Sequence, residues 1–565
     1  MTAVARPRPP RVDLEARRRS LCATEGAPFV APAWLTDAAL DRDAFWREIA
    51  PALVAAVAGS SRSSPFERYQ LAHDLGARHA VGRSPGFVHH DASGATVTSY
   101  ARLVEDARAL AGAWRARVAP GMCVAIVAPT SPELVTALLA TWHLGAVAAP
   151  LPVWGLTYLH HRLAALEADF VATSRPRALW LGVASDVWLA TAPAVGDGAP
   201  PGLAHAYAPD DAVLRVFSPL GDTPLAALDV SAERLYLGAL RDGVVFFGLA
   251  AELGLAAPGF CDVQFGLPLL VTCLATGGHF VAISLDAACQ RPELVCDGTP
   301  HILGVHPRLR DAISAAGHAG SGPARWFRSP ATAHEPERWA RLAEARPFAR
   351  SLGACYAASP LAGGAITWSA WRRSPALNTA LPAPGLDWQL IDPGRGGAAS
   401  ADGNGVLSST DAPIEAIGQP LLGRIGDESL WVTSLGAHRD GQRLPATEIE
   451  AVAVAARSDV WAAALVDDPR LGAVLVVFVR PDRFAGDQPA RDALAGELTE
   501  LLAVQLAPHL APPRIDVFSV PPRFADDGAI DRDWCRGQHA SGRLAAKQRE
   551  PLFTTLALLR IALTD

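Results

Sequence analysis

The sequence predicts an α/β protein that has a large N-terminal α/β domain and a small C-terminal α+β domain. Its 565 residues are 50% apolar, which is ample for more than one hydrophobic core. Short β-branched runs alternate with capped, amphipathic segments, and this rhythm is typical of a parallel sheet covered by helices. Between about Pro420 and Gly441 the composition turns to glycine and polar residues, and a second, shorter series of helices and strands follows.

The first elements of the large domain can be assigned in order from the signals at their ends. Residues 86–99 predict two strands around a turn, because the turn is built from Asp, Ser and Gly. Ser99 then caps a helix. The run CVAIVAP predicts a buried strand, and Ser131 and Gly145 mark the start and the end of the next helix.

The most apolar run of the chain, Val263 to Ser284, predicts a buried helix, a turn and a strand. A membrane span is disfavoured because Pro268 and the pair Gly277-Gly278 interrupt the run, and because His279 is polar. We therefore expect no contact with a membrane.

The C-terminal part predicts a smaller domain with its own order of elements. Residues 444–481 have the pattern of a helix, a strand, a turn and a strand, and a further helix and a short strand follow. The predicted boundaries are 1–64 for a flexible tail with a helical extension, 65–433 for the large domain, 434–536 for the small domain and 537–565 for a helical tail.

The composition disfavours several classes of protein. The net charge is −7 and only 19% of residues are charged, so a nucleic-acid-binding surface is not expected. The basic, proline-rich N-terminus lacks the apolar stretch of a secretory signal. Eight cysteines show no CxxC pair, so we expect free thiols in a reducing cytoplasm and no metal site. Lysine is nearly absent, since Lys547 is the only one in the chain.

Two groups of segments carry a resemblance to a known family. Residues 98–152 contain a helix, the strand segment PGMCVAIVAPTSPE and the turn LGAVAAPLP, in that order. GQRLPATEIEAV and AAALVDDPRLGAVLVVFVRP follow in the C-terminal part. These stretches resemble the adenylate-forming superfamily, which includes acyl-CoA and aryl-CoA synthetases, fatty acyl-AMP ligases and peptide-synthetase adenylation domains. The similarity runs from roughly Gly86 to Arg536.

The resemblance implies the adenylate-forming-enzyme fold, with an active site at the hinge between a large and a small domain. Members of the family activate a carboxylate with ATP and then pass the acyl group to a thiol. Their phosphate loop reads approximately TSGTTGxPK, and its glycine N–H groups, hydroxyls and lysine hold the triphosphate.

The stretch that matches this phosphate loop, FSPLGDTPL, has lost the groups that hold phosphate. Pro219 has no N–H to donate, Asp222 repels phosphate, and Leu225 replaces the lysine. The residues of this degenerate phosphate loop are Ser218, Gly221, Asp222 and Thr223.

The family's magnesium motif, YGxTE, is also altered. It is matched by Tyr356-Ala357-Ala358-Ser359-Pro360, where proline replaces the glutamate that holds the metal. Cys355, Tyr356 and Ser359 are candidates for lining an acyl or nucleotide pocket. Two interpretations of Cys355 are an acyl carrier and an inert buried thiol, and the typical behaviour of cysteine favours the second.

The two remaining motifs have lost their charged residues as well. The TGD motif, whose aspartate holds the ribose, falls on Gln419 to Leu421 or, in a second placement, on Thr433 to Leu435, and neither has an acid. In Asp527 to Arg532, which matches SGKIxR, Ala529 stands at the position of the lysine that stabilises charge during adenylation.

Two histidine pairs have simple structural interpretations. His89-His90 precede Asp91 in a segment that predicts a strand leading into a hairpin, rather than an acyl-transfer motif. His160-His161 lie in a helical pattern, and neighbouring residues of a helix do not share a face, so a metal pair is not expected.

These losses predict a non-adenylating, pseudoenzyme-like member of the family in a biosynthetic pathway, with no catalytic residue assigned. It would bind an acyl or aryl small molecule or its thioester, and act with a carrier protein or an intact ligase. No cofactor is expected. One alternative is an ATP-independent acyl-thioester transferase. The other is an active acyl-CoA synthetase or acyl-AMP ligase with a rewired nucleotide site, and only this alternative needs ATP and magnesium.

Overall fold

The computed structural model describes most of the central and C-terminal chain. The described residues are 46–47, 54, 67–81, 84–91, 94–192, 202–217, 227–260, 266–297, 300–317, 323, 325–328, 338–339, 341–342, the strands that lie between 353 and 434, 437–439, 442–480, 488–524 and 530–548. Each helix in these ranges is too short or too polar to cross a bilayer.

The chain divides into two compact units. Unit 1 comprises Met1–Pro152, Leu163–Pro219 and Leu225–Ser434, and unit 2 comprises Val153–Arg162, Leu220–Pro224 and Leu435–Asp565. The segment Val153–Arg162 therefore groups with the C-terminal residues, although it lies between two stretches of unit 1 in the sequence.

Unit 1 contains two mainly parallel sheets and one antiparallel sheet. The strands are β1 (Pro85–Asp91), β2 (Gly94–Ser99), β3 (Cys123–Val127), β4 (Val147–Leu151), β5 (Phe170–Thr173), β6 (Trp188–Ala190), β7 (Ala212–Phe217), β8 (Ala227–Ser231), β9 (Gly254–Ala256), β10 (His279–Ile283), β11 (Ile302–Gly304), β12 (Arg325–Arg328), β13 (Gly353–Cys355), β14 (Thr367–Trp368), β15 (Thr379–Pro382), β16 (Trp388–Asp392), β17 (Ala398–Ala399), β18 (Asn404–Ser409), β19 (Leu421–Ile425) and β20 (Leu430–Ser434).

Helices connect the strands of the parallel sheets. They are α1 (Leu71–Asp74), α2 (Tyr100–Trp114), α3 (Pro132–His143), α4 (Leu156–Leu166), α5 (Arg175–Leu181), α6 (Ala232–Leu240), α7 (Leu267–Thr276), α8 (Leu285–Gln290), α9 (Glu293–Cys296) and α10 (Pro307–Ala316), together with a 3₁₀ turn at Ala77–His79 and a π-helix at Arg241–Phe247.

The first parallel sheet has six strands in the order β6-β5-β3-β4-β7-β8. Strands β3 to β7 run parallel, and β8 returns antiparallel to β7. Strand β3 is buried along its whole length, as its continuous apolar sequence predicts. The parallel strands place their carboxyl ends at one edge of the sheet, which is where α/β proteins bind ligands.

The second parallel sheet has seven strands in the order β13-β12-β11-β9-β10-β1-β2, and β2 is its one antiparallel strand. Its hydrophobic core includes Val88, Val281, Leu303 and Trp326, which pack with residues of the adjoining helices. The third sheet, β14-β15-β20-β19-β18-β16-β17, is antiparallel throughout.

Unit 2 is built on a three-stranded sheet covered by helices. Its elements are β21 (His438–Arg439), β22 (Gln442–Arg443), α11 (Ala446–Ala456), β23 (Val460–Asp468), β24 (Gly472–Val479), α12 (Gln488–Gln505), β25 (Ile515–Phe518), α13 (Arg532–Ala540) and α14 (Arg543–Gln548). The order β23-β24-β25 combines an antiparallel and a parallel pair. Its core joins valines of the two long strands to Phe518, Cys535 and Leu544.

Several sequence predictions are confirmed at the level of single elements. Strands β1 and β2 form the predicted hairpin, and the Ser99 side chain accepts the backbone N–H of Arg102 at 3.2 Å. The apolar run after residue 263 forms α7, a left-handed Gly277 (φ 76°) and β10, as expected. The order predicted for the C-terminal part also matches α11 to β25.

Candidate functional site

The segment that we predict to be a degenerate phosphate loop connects the two strands at the end of the six-stranded sheet. Strand β7 ends at Phe217 and β8 begins at Ala227, and these two residues are directly paired. The loop therefore joins two antiparallel strands, and it begins at the carboxyl end of β7. Its predicted residues, Ser218, Gly221, Asp222 and Thr223, lie outside the described residues.

The hairpin below this loop is held by an arginine that is already paired. Arg215 of β7 lies directly opposite Asp229 of β8. Its Nε and Nη2 donate to the two carboxylate oxygens at 2.7 and 3.1 Å. Hydrogen bonding to Asp229 raises the pKa of Arg215. The guanidinium therefore fixes the strands and is not presented to a phosphate.

A second arginine at the same edge is also committed to a carboxylate. Arg177 of α5 donates to the carbonyl of Val127, the last residue of β3, at 2.7 Å. It also donates to both carboxylate oxygens of Glu133, at 3.2 and 2.6 Å. The Thr191 hydroxyl, just beyond β6, donates to the same carboxylate. Arg177 also donates to the hydroxyl of Thr173, the last residue of β5, at 3.4 Å. The network therefore ties the ends of β3, β5 and β6 together, and it neutralises the arginine charge.

The magnesium-motif position follows the edge strand of the seven-stranded sheet. Strand β13 ends at Cys355, which is paired in register with Arg328 of β12. Cys355 is thus placed at the carboxyl edge of the sheet, whereas Tyr356 and Ser359 lie outside the described residues. Beside this position, Arg328 is buried.

Buried arginines beside β13 are a feature that the sequence analysis did not identify. The Arg328 guanidinium lies 5.8 Å from the centre of the Trp339 ring, and that of Arg310 lies 4.9 Å from the same ring. Trp326 stacks on Trp339 with ring centres 5.7 Å apart. Tryptophan faces attract guanidinium groups, which explains part of how two cations are accommodated in this core. Arg328 lies in the apolar strand RWFR and Arg310 lies in α10, so no single local pattern indicated this pair.

The two alternative placements of the ribose motif come together in the structure. Leu421 begins β19 and Ser434 ends β20, and these residues are directly opposite each other. Leu422 is likewise paired with Thr433. Both placements therefore occupy the same end of one strand pair, and the described positions Leu421, Thr433 and Ser434 carry no carboxylate.

The position of the lost lysine lies in a loop of unit 2 whose two sides are firmly held. Phe524 and Ile530 form an antiparallel bridge that closes this loop, and Ala529 itself lies outside the described residues. Asp531 caps α13 by accepting the Trp534 N–H at 2.8 Å. Arg532 donates to both carboxylate oxygens of Glu450, at 2.8 and 2.6 Å.

The single lysine of the chain is not placed to replace the lysine that the family has at the position of Ala529. Lys547 lies in α14, and its Nζ is 5.7 Å from the centre of the Trp534 ring on α13. Trp534 in turn lies 6.4 Å from Phe478 of the central strand β24. The ammonium is therefore engaged with an aromatic face that packs onto the sheet.

The described residues at the two ribose-motif placements are uncharged, and the arginines nearest to the predicted phosphate loop are paired. Neither ribose placement offers an acid, the arginines at the carboxyl edge of β3 and on β7 are paired with carboxylates, and proline stands where the metal-binding glutamate is needed. In the described part of the chain, no group of three or more His, Cys, Asp or Glu residues is arranged to hold a metal ion.

One protein family matches part of this sequence, and several solved structures share its fold. The family described as AMP-binding enzyme matches residues 77–203. No curated protein matches the sequence. Solved structures with the same fold include the amide bond synthetase from Marinactinospora thermotolerans, at 18% identity and a TM-score of 0.64, over 82% of this chain and 99% of that one.

Two further structures extend the same comparison. A double mutant of the o-succinylbenzoate CoA synthetase from Bacillus subtilis, bound with a product analogue, has 12% identity and a TM-score of 0.62, and covers 82% of this chain and 98% of its own. The acetoacetyl-CoA synthetase from Streptomyces lividans has 16% identity and a TM-score of 0.57, with 92% of each chain covered. These similarities confirm the predicted fold.

Proposed function

Because this chain resembles the adenylate-forming superfamily, as the AMP-binding match and the shared fold bear out, we propose that it is a member that no longer adenylates. Its role would be to bind an acyl or aryl molecule, or the corresponding thioester, in the cytoplasm. It would serve a carrier protein or an intact ligase in a biosynthetic pathway, without ATP or magnesium.

One observation carries this proposal: the charged group is missing at four separate motif positions, while the elements beside each position are retained. The β7–β8 hairpin, the end of β13, the β19–β20 pair and the Phe524–Ile530 bridge are all formed. These four elements show that the fold is retained around each altered motif. A change of function explains why the fold survives while the catalytic groups do not.

The expected loss of nucleotide affinity is large. Hydrogen bonds to charged groups contribute about 1.5–3 kcal/mol each. Loss of three such contacts, to phosphate, magnesium and ribose, corresponds to a decrease in affinity of about a thousandfold or more. Arg215 and Arg177 offer no compensation, because each already holds a carboxylate.

Calorimetry with the full-length protein tests the proposal. We expect no heat of binding from ATP and magnesium, and measurable binding of at least one compound from a panel of acyl-CoA and aryl-CoA thioesters. The control is a variant that combines Leu225→Lys, Pro360→Glu and Ala529→Lys, which restores three of the lost charges. Tight ATP binding by the unmodified protein would overturn the proposal.

A second measurement separates binding from catalysis. The protein is mixed with a labelled acyl-CoA and an acyl carrier protein, and label on the carrier is measured with and without the protein. No accelerated transfer is expected from a binding protein. Transfer that depends on the protein, but not on ATP, would instead support the thioester transferase.

A further inference from the structure

A histidine near the end of α13 bridges two strands of the unit 2 sheet. His539 is buried, and its Nδ1 lies 2.9 Å from Oδ2 of Asp468. Its Nε2 lies 2.8 Å from Oδ2 of Asp516. Asp468 ends β23 and Asp516 lies in β25, which are the two neighbours of β24. The imidazole ring therefore connects α13 to both outer strands.

This geometry requires a doubly protonated ring. An ionised carboxylate only accepts hydrogen bonds, and a neutral imidazole has a single N–H to donate. Only the imidazolium form of His539 can donate to both Asp468 and Asp516. Hydrogen bonding to Asp516, together with that to Asp468, raises the pKa of His539 in spite of its burial.

The two aspartates are themselves held in the ionised form. Asp468 accepts the backbone N–H groups of Arg470 and Leu471, at 2.9 and 3.1 Å. Both carboxylate oxygens of Asp516 lie 2.9 Å from Nε of Arg514. Although burial opposes ionisation, these donors and His539 keep the pKa of both carboxyl groups below the usual value of 3.8.

The surroundings of the ring contain both cations and apolar groups. From the turn after β23, the Arg470 guanidinium donates to the carbonyl of Ala540 at 2.7 Å. Phe518 of β25 presents its ring at 6.2 Å. Cys535, one turn earlier in α13, is buried and its pKa is raised to about 12, so the thiol is neutral. Further charged groups on α13 itself, on β23, on α14 and beside β25 are Asp467, Arg514, Arg532, Asp533, Arg536, Arg543 and Lys547.

The bridge formed by His539 is one of the attachments that hold α13, which lie near the two ends of the helix. The helix begins directly after the loop at 525–529, and its first residue is anchored to Glu450 through Arg532. His539 anchors the other end. The Arg532–Glu450 ion pair holds the start of the helix. Its end is held by the Arg470–Ala540 hydrogen bond and by the two contacts of His539, and only the His539 contacts depend on a proton.

We propose that His539 is a proton-dependent clasp that fixes α13 on the unit 2 sheet. Loss of the His539 proton removes one of the two hydrogen bonds and leaves a buried carboxylate without its cation. The helix end then detaches more often. This inference does not depend on whether the protein adenylates.

The direction of the pH effect follows from the pKa shifts. A histidine whose pKa is raised by folding stabilises the folded state below its unfolded pKa, near 6.5, and loses this contribution as pH rises through the folded pKa. Folding lowers the pKa of both aspartates, so each ionised carboxylate also stabilises the folded state. This contribution is lost only in acid, as the pH falls below the usual pKa of 3.8. The clasp is therefore closed in mildly acidic solution and opens as the pH rises through the raised pKa of His539.

Hydrogen exchange of the full-length protein, corrected for intrinsic rates, tests the clasp at about pH 6 and about pH 9. We expect protection of the α13 amides to fall by roughly tenfold for each unit by which folding raises the His539 pKa. In His539→Gln, protection should be low at both pH values. The matched control is His161→Gln, which changes an exposed histidine of the same unit and should behave as the unmodified protein.

Titration by NMR of the histidine ring carbons gives a second readout that does not require the His539→Gln variant to fold. The His539 ring should titrate above its usual value of 6.5, and Asp516→Asn should lower that midpoint. A midpoint at or below the usual value, or α13 protection that does not change with pH in the unmodified protein, would overturn the proposal. Either result would leave His539 with a purely structural role.

Discussion

The ion pair between Arg532 and Glu450 should contribute measurably to the attachment of α13. Its hydrogen bonds are 2.6 and 2.8 Å long, and Glu450 also accepts the Leu465 N–H at 2.8 Å. Hydrogen bonds to charged groups contribute about 1.5–3 kcal/mol each. The Arg532 side chain is 40% exposed, however, and solvent screens an exposed pair to about 0–1 kcal/mol. We therefore expect a coupling of about 1–2 kcal/mol.

A double-mutant cycle with Glu450→Gln and Arg532→Met measures this coupling from hydrogen exchange of the α13 amides. The expected coupling corresponds to a change in protection of about fivefold to thirtyfold. The Arg536–Asp533 pair on the same helix is the control, because its side chains are 54% and 86% exposed and its coupling should stay below about 0.5 kcal/mol. A coupling no larger than that of the control pair would refute this account of the helix anchor.

Three further predictions concern other parts of the chain. Glu133→Gln should lower the thermal stability by about 1–3 kcal/mol, because it leaves Arg177 among three strand ends without its partner, and calorimetric unfolding would detect this; an unchanged melting temperature would contradict it. Burial lowers the pKa of His509 to about 4, so His509 stays neutral and stability falls as the pH drops from about 6.5 towards that value; His509→Phe should reduce this acid sensitivity in unfolding curves. Among the described free cysteines, Cys289 should react first with an alkylating reagent, because its side chain is partly exposed. The other four are buried: Cys123, Cys273, Cys296 and Cys535. Mass spectrometry of the early products checks this, and preferential labelling of a buried cysteine would contradict it.

Local features of the fold were predictable from the sequence. The uninterrupted apolar run of β3, the Ser99 cap and the glycine at the end of α7 each depend on a few neighbouring residues. The order of elements in the C-terminal part was predictable for the same reason. Local residues indicate the order of helices and strands and where each one ends, but they do not indicate which elements pack together.

The contacts that hold the candidate regions join residues that are far apart in sequence. The Arg162 side chain, for example, donates to Glu448 at 2.6 Å across 286 residues, and no local pattern indicates that pairing. The two ribose placements looked like alternatives in the sequence, yet strand pairing puts Leu421 opposite Ser434. His539 had no motif, because its role depends on the register of β23 and β25.

The arginine pairs change how the lost motifs are interpreted. An active ligase with a rewired nucleotide site, one of the two alternatives from the sequence, needs another cation to replace the missing phosphate-loop lysine. Arg215 and Arg177 are near that loop or its sheet edge, but each is bound to a carboxylate on a neighbouring element. Releasing one of them to bind phosphate would leave Asp229 or Glu133 without its cation, which offsets the gain.

Carboxylate-dependent exchange of pyrophosphate into ATP tests the central claim most directly. The reaction reports adenylate formation itself, whatever acceptor follows. We predict no exchange above background with the full-length protein and magnesium, over a panel of aliphatic and aromatic acids, while an intact adenylating enzyme exchanges under the same conditions. Exchange that depends on one acid, and that is absent without it, would contradict the account and identify this chain as an active ligase.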